Sequence, residues 1–479
     1  MVLAVLLAGF LAVRAVGGEE FSVEYPVERF SPSGSLEQLA PTVRGGDAVS
    51  FEVEGELPAG VTFDPSTGVF SGATRWESTP VKLSAGRFFT CALSSEGGVK
   101  CWGSDGKGSF DPESTKINPP CPPACGEDSV APDVPADVEG LTSGVRDIAT
   151  GAYHLCAVLD TGSVRCLGYN EFGQLGDGST VNSSRTPVEV LGIGTDAVAV
   201  SSAGGHTCAV TRARGLKCWG ANWFGRLGAN SDVPFSAVPL DVYGLSSGVR
   251  FFDGGGYHAC ALTEAGEVKC WGNNMFGQLG DGTTEHRNVP VDVKGIPGKV
   301  ASMSIGMGHG CVLTEEGKVF CWGYNVFGQL GTGVSEPFSP VPVEVPLDGP
   351  AVQAVDAGGE HTCILDVTGA VRCWGNNANG QSGAPASVAS TPSPVAVRGL
   401  GEVTSVRAGT YHSCATTIAG SVLCWGFDLS EMLGDKSATH PDPLPVQWFG
   451  TPGFPARVTV TAHAENGSSA ATEVLLSIG

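Results

Sequence analysis

The residues in this chain whose types and spacing could do chemistry are cysteine and histidine. In "HACALTEAGEVKC", from His258 to Cys270, a histidine and a cysteine stand two apart, and a second cysteine follows ten residues later. On an extended strand, His258 and Cys260 share one face. Such a set could hold zinc, or the two sulfurs could pair. The spacing recurs along the chain. Cys91, Cys156, Cys208, Cys260, Cys311, Cys363 and Cys414 each have a partner ten residues on: Cys101, Cys166, Cys218, Cys270, Cys321, Cys373 and Cys424. The first members are separated by 65, 52, 52, 51, 52 and 51 residues.

The sequence between the cysteines favours pairing. It alternates and turns at Glu264-Ala265-Gly266, the pattern of a β-hairpin. Centred there, Cys260 lies opposite Cys270 and Leu262 opposite Val268. Opposed residues of a non-hydrogen-bonded pair have Cα atoms about 4.5 Å apart, within disulfide reach. In the same register His258 falls opposite Gly272. The pairing recurs as His154 with Gly168, His206 with Gly220, His309 with Gly323, His361 with Gly375 and His412 with Gly426. Glycine makes room for the imidazole, which is packing. In the first repeat Phe89 replaces the histidine, which a ligand set would not survive. We therefore expect hairpin disulfides and no metal. The remaining cysteines, Cys121 and Cys125, lie in "CPPAC" and are expected to pair with each other.

Other motifs are weaker. Gly244-Leu245-Ser246-Ser247-Gly248 matches a nucleophile elbow, but it sits where an earlier repeat has "GLTSG", a turn with no following helix pattern. "GDGT" at Gly280 lacks the ligand count of a calcium loop. There is no P-loop, no His-Glu-x-x-His and no dinucleotide fingerprint after a strand. We expect no catalytic residues and no cofactor.

The elements that carry these residues repeat with them. After each hairpin comes a segment such as "WGNNMFGQLGDGT", with tryptophan at 102, 219, 271, 322, 374 and 425 and Leu167 as the exception. A recurrent tryptophan of this kind reads as packing between units. A Pro-Val strand follows, as in "VPVDVKG", and then the first strand of the next unit. Four short strands per period, repeated seven times, predict an all-β fold, a seven-bladed β-propeller. The 70 glycines and 31 prolines suit so turn-rich a chain.

The Ala-Gly step, the histidine, the hairpin, Trp-Gly-x-Asn and Gly-Gln-Leu-Gly, as in Gly256 to Gly280, resemble the regulator-of-chromosome-condensation repeat family. The resemblance covers roughly residues 81–450 and implies a seven-bladed propeller. The family's eukaryotic founder promotes nucleotide exchange on a small GTPase at chromatin. Here the paired cysteines, the acidic charge and the lack of residues matching the founder's exchange wedge argue against transferring that activity. A secreted β-lactamase inhibitory protein of similar fold binds through loop aromatics on one face, a closer precedent.

The chain opens with an apolar run, Val2 to Val13, of signal-peptide length, with Val13 and Ala15 suiting a cleavage site. We expect residues 1–18 to be a signal peptide; the alternative is a buried first strand. Residues 19–80 resemble the immunoglobulin-like domains of secreted bacterial proteins through Leu57-Pro58-Ala59-Gly60 and Ser66 to Gly72. Residues 451–479 read as two strands around Glu465-Asn466-Gly467. A lone hairpin needs a sheet to join. The expected arrangement is therefore an immunoglobulin-like β-sandwich with the propeller, 81–450, inserted in it; two separate flanking segments are the alternative.

In a repeat protein, function should lie where repeats differ. The loop after Trp-Gly-x-Asn carries a variable pair, and we take Trp223, Phe224, Met275, Phe276, Val326 and Leu429 as candidate binding residues. The recurring Phe172, Phe224, Phe276 and Phe327 are expected to tuck under their own turns, leaving Trp223 the most exposed. The longer insert, Ser104 to Asp137, is either a recognition element or a stabilised excursion. A net charge of −22 disfavours nucleic acid and anionic membranes. The function expected is a non-enzymatic, monomeric, secreted, periplasmic or cell-surface propeller that binds a protein. Binding of a surface glycan and nucleotide exchange are the alternatives.

Overall fold

The computed structural model describes residues 80–103 and 135–446 apart from 88, 182, 335, 419 and 428–438. It also describes the segments 22–24, 35–39, 41–44, 48–54, 61–67, 69–73, 456–464 and 469–476. The apolar run Val2–Val13, Ala15, Leu57–Gly60, most of the 104–137 insert with Cys121 and Cys125, Leu429 and the Glu465–Gly467 turn lie outside the described residues.

Residues 80–446 form one unit made of seven four-stranded antiparallel sheets, each continuous in sequence. Blade 4 is representative: Val249–Gly254 is innermost, followed by His258–Thr263, Val268–Gly272 and the outer Arg287–Asp292. The hairpin register is the expected one, with Cys260 opposite Cys270, Leu262 opposite Val268 and His258 opposite Gly272. All seven cysteine pairs are disulfides within their own hairpins, with Cα atoms 4.0–4.1 Å apart. The hairpin turn needs a residue in the left-handed region. Gly266 supplies it in blade 4 at φ 82°, and in blade 3 Arg214 is forced there at φ 60°.

The blades are joined by a repeated side-chain chain. Trp374 Nε1 donates to the Gln329 carbonyl of the preceding blade (2.9 Å), and that carbonyl also accepts Thr362 Oγ1 (2.9 Å). With its proton committed there, Thr362 Oγ1 accepts from His309 Nε2 (2.9 Å), which sets the imidazole tautomer. The same relay runs through His154–Thr207 to Gln174 and His361–Ser413 to Gln381, and His412 bonds Thr90 in the same way. The last of these joins blade 7 to blade 1, where Thr410 N also donates to the Gly86 carbonyl (3.2 Å), so the ring closes without a shared sheet. Where the histidine is Phe89, the next blade offers Leu155, and both lie in one buried apolar cluster. Each of the six recurring tryptophans is fully buried. Trp219, Trp271, Trp322, Trp374 and Trp425 each pack against apolar residues of the preceding blade. Packing between units is thus what they do.

The second unit consists of residues 1–79 and 447–479. Its strand Ala48–Glu54, ahead of the propeller, pairs with Ala456–Ala464 beyond it, and that strand pairs with Ser469–Leu476. A three-stranded sheet of Ser35–Leu39, Val69–Ala73 and Val61–Asp64 accompanies it. The fold is all-β, and no helix among the described residues is long and apolar enough to cross a membrane.

Candidate binding site at the tunnel mouth

The seven innermost strands line a central tunnel with a cavity of about 450 Å³. The residue opposite the first cysteine of each hairpin is Ser84, Ala149, Ser201, Asp253, Ser304, Asp356 or Arg407. Several of these tie one inner strand to the next by accepting its backbone N–H. Thr150 N donates to Ser84 Oγ (2.9 Å), Ile305 N to Asp253 (2.9 Å), Ala357 N to Ser304 Oγ (3.0 Å) and Ala408 N to Asp356 (2.9 Å). Ala149 cannot accept; in its blade Asp147 takes the Val200 N–H instead (2.9 Å). Arg407 pairs with Asp356 (2.8 Å). Burial lifts the Asp253 carboxyl to about 6, against the hydrogen bonds it accepts. This ring satisfies strand edges.

In blades 2 to 4 the turn after the inner strand and the loop after the third strand meet at the tunnel mouth, where aromatic rings form a continuous arc. Tyr153 meets Tyr169 at 6.3 Å, Tyr169 meets Phe172 at 6.2 Å and Phe172 meets Trp223 at 4.8 Å. Tyr257 then lies 6.3 Å from Trp223 and 6.2 Å from Phe224. Beneath this arc is Arg226, only 1% exposed. Its guanidinium stacks on Trp223 at 4.8 Å and on Tyr257 at 5.7 Å. Nε donates to the Ala221 carbonyl (2.9 Å) and Nη1 to the Gly256 carbonyl (2.6 Å). Burial lowers its pKa to about 10, still a cation at neutral pH.

Of the residues expected from sequence, Trp223 is 41% exposed, Met275 55% and Val326 57%. Leu429 lies outside the described residues. The expectation for the phenylalanines needs correction. Phe224 and Phe276 are exposed, not tucked under their turns. They reach across the seam to the next blade, Phe276 onto Tyr324 (4.8 Å) and Phe224 onto His286 (4.8 Å). Phe172 and Phe327 are half-buried. In blades 2, 4 and 5 a glutamine side chain accepts the phenylalanine N–H, as at Gln278 (2.8 Å). Blade 3 has Arg226 in place of that glutamine. Phe224 there adopts φ 62° inside a short 3₁₀ turn, Trp223–Gly225. Sequence reasoning missed Arg226, Tyr153 and Tyr257. The signal for Arg226 was present: "GRLG" departs by one residue from the "GQLG" of other blades. Among the described residues no group of three or more His, Cys, Asp or Glu is placed to hold a metal.

Seven stapled blades around a lined tunnel define a repeat propeller. The chain belongs to the RCC1-like domain family, whose model matches residues 62–351. Regulator of chromosome condensation (RCC1) repeat models match residues 352–381 and 368–416, and an Ig domain model matches 12–86. Among its relatives, ultraviolet-B receptor UVR8 of Arabidopsis thaliana is 33% identical over 248 residues, 51% of this chain and 56% of that protein. Human E3 ubiquitin-protein ligase HERC2 is 30% identical over 316 residues, 64% of this chain but 6% of HERC2. The chain thus spans about half the length of the first and a small part of the second. Human WBSCR16 shares the fold with a TM-score of 0.62 at 22% identity, over 76% of this chain and 94% of that one. So does yeast RCC1 (Prp20), solved with Kap60 bound, with a TM-score of 0.61 at 18% identity over 84% and 91%.

Proposed function

We propose that this protein is a non-enzymatic protein-binding propeller that acts outside the reducing cytosol and engages its partner through the tunnel-mouth face. The observation that carries the reading is the exposed aromatic arc, Trp223, Phe224 and Tyr257, held over a buried cation. Aromatics on a rigid face are favoured anchors at protein interfaces. Seven intra-hairpin disulfides support an oxidising location, since such pairs do not persist among cytosolic thiols. The pairing of Ala48–Glu54 with Ala456–Ala464 supports reading the propeller as an insertion in an immunoglobulin-like domain. Trp223 is the one exposed tryptophan among the described residues, which favours protein over glycan as the partner.

The test is a pull-down from culture supernatant and envelope extract with wild-type protein and Trp223→Ala, run beside a glycan array. The reading expects specific protein partners that Trp223→Ala loses. Unchanged capture by the variant would rule out this face, and glycan binding would replace the reading.

A further inference from the structure

Two of the cations that line the tunnel are held in ion pairs. Lys82 pairs with Asp147, and Arg407 with Asp356. Arg226 has no carboxylate partner among the described residues. Its faces are covered by Trp223 and Tyr257, and Nε and Nη1 are bonded to carbonyls, yet Nη2 is buried with no protein acceptor. A buried donor left without a partner is costly, more so on a charged group. The neighbouring backbone carries no side chain at that atom. Gly205 stands where the flanking blades carry Tyr153 and Tyr257, each just before its histidine. A Cβ on Gly205 would lie 3.5 Å from Nη2. Both residues line the tunnel cavity, whose 450 Å³ is within the range of small-ligand sites.

We propose that the tunnel mouth is a site for a single carboxylate carried on an apolar body. The carboxylate accepts from Arg226 Nη2 in the space over Gly205, and the body lies against Phe172, Trp223 and Tyr257. The charge balance fits a monoanion. Of the cations in the tunnel lining, Lys82 is neutralised by Asp147 and Arg407 by Asp356, which leaves Arg87 and Arg226 against Asp253, a net of one positive charge. That charge does not balance a dianion such as a phosphate monoester, whereas one guanidinium edge neutralises one charge. The carboxylate has two possible sources, a free organic acid or an acidic side chain on a peptide. The site stands independently of the protein-binding reading, because a free acid fills it without any macromolecular partner.

Calorimetric titration of the full chain tests it with three probes: 3-phenylpropionate, the neutral 3-phenylpropanamide, and a doubly capped peptide with one glutamate between phenylalanines. Two variants are compared. Arg226→Gln installs the residue of blades 2, 4, 5 and 6, and Gly205→Tyr installs the residue of the flanking blades and fills the space. A melting curve confirms that each folds. We expect an acid probe to bind wild type at least about tenfold tighter than the amide, and to lose about tenfold or more in either variant. Binding of the free acid assigns a small-molecule site; binding of the peptide alone assigns a peptide side chain. Equal binding of acid and amide, undiminished binding to Arg226→Gln, or no binding of either acid at millimolar concentration overturns the proposal.

Discussion

Acidification is the perturbation that most sharply probes how the blades are joined. Six blade histidines are buried and neutral. Burial holds His154, His258, His309 and His361 down to about 3 and His412 to about 4, and holds His206 well below its ordinary value. In the unfolded chain each takes up a proton near pH 6.5. The stability they contribute is therefore complete above about pH 6.5 and is lost as the pH falls towards their folded values. Between about pH 7 and pH 5 each costs about 2 kcal/mol. Asp253 works the other way. Its folded pKa of about 6 lies above the ordinary carboxyl value, so it returns about 1 kcal/mol over the same interval. The net loss is about 10 kcal/mol, and the slope near pH 5 corresponds to about five protons taken up on unfolding. Denaturant unfolding followed by tryptophan fluorescence, without reductant, reads both. Blade 1 provides the internal control, because Phe89 and Leu155 already replace a His–Thr pair there. The double substitution His309→Phe with Thr362→Leu copies that pair, and it should lower the slope by about one proton. A midpoint that does not move between pH 7 and 5, or a double variant with the wild-type slope, would refute the reasoning.

Further predictions follow from single contacts. Gly323→Ala places a Cβ 2.5 Å from the Gly308 carbonyl oxygen and 2.9 Å from His309 Cα at φ 96°. We expect a loss of about 2–4 kcal/mol by thermal or denaturant unfolding, and a loss under about 0.5 kcal/mol would show that the hairpin is not packed this closely. Trp425→Phe removes a donor to the Gln381 carbonyl, which keeps its bond from Ser413 Oγ (3.0 Å). That remaining bond limits the hydrogen-bond part of the cost to about 1 kcal/mol, measured as a shift in denaturant midpoint.

Much of the frame was legible because its signals are local and repeated. Cys260, Leu262, Val268 and Cys270 lie within one hairpin, so alternation and a turn glycine set their register without reference to the rest of the chain. Gly272 opposite His258 follows from the same centring. What was not legible crosses between blades. The relay from His309 through Thr362 to Gln329 joins residues more than thirty positions apart, and its gaps at Ala259 and Gly310 carry no mark within their own repeats. The lean of Phe224 and Phe276 towards the next blade is of the same kind. Arg226 is different. It is a single-residue departure visible in the alignment of repeats, but its burial between Trp223 and Tyr257 depends on the tunnel that only the closed ring creates.

Stapled blades carry the binding face, and the staples need an oxidising location. The most direct measurement is peptide mapping by mass spectrometry of the full chain, purified from the compartment in which it accumulates and alkylated before and after reduction. The account predicts no alkylation of the blade cysteines before reduction. It also predicts a separate cross-linked pair for every hairpin, Cys91–Cys101 through Cys414–Cys424. Each short loop is worth about 2–3 kcal/mol, so reduction should also lower the unfolding midpoint. Free thiols in the unreduced protein, or links joining cysteines of different blades, would contradict it.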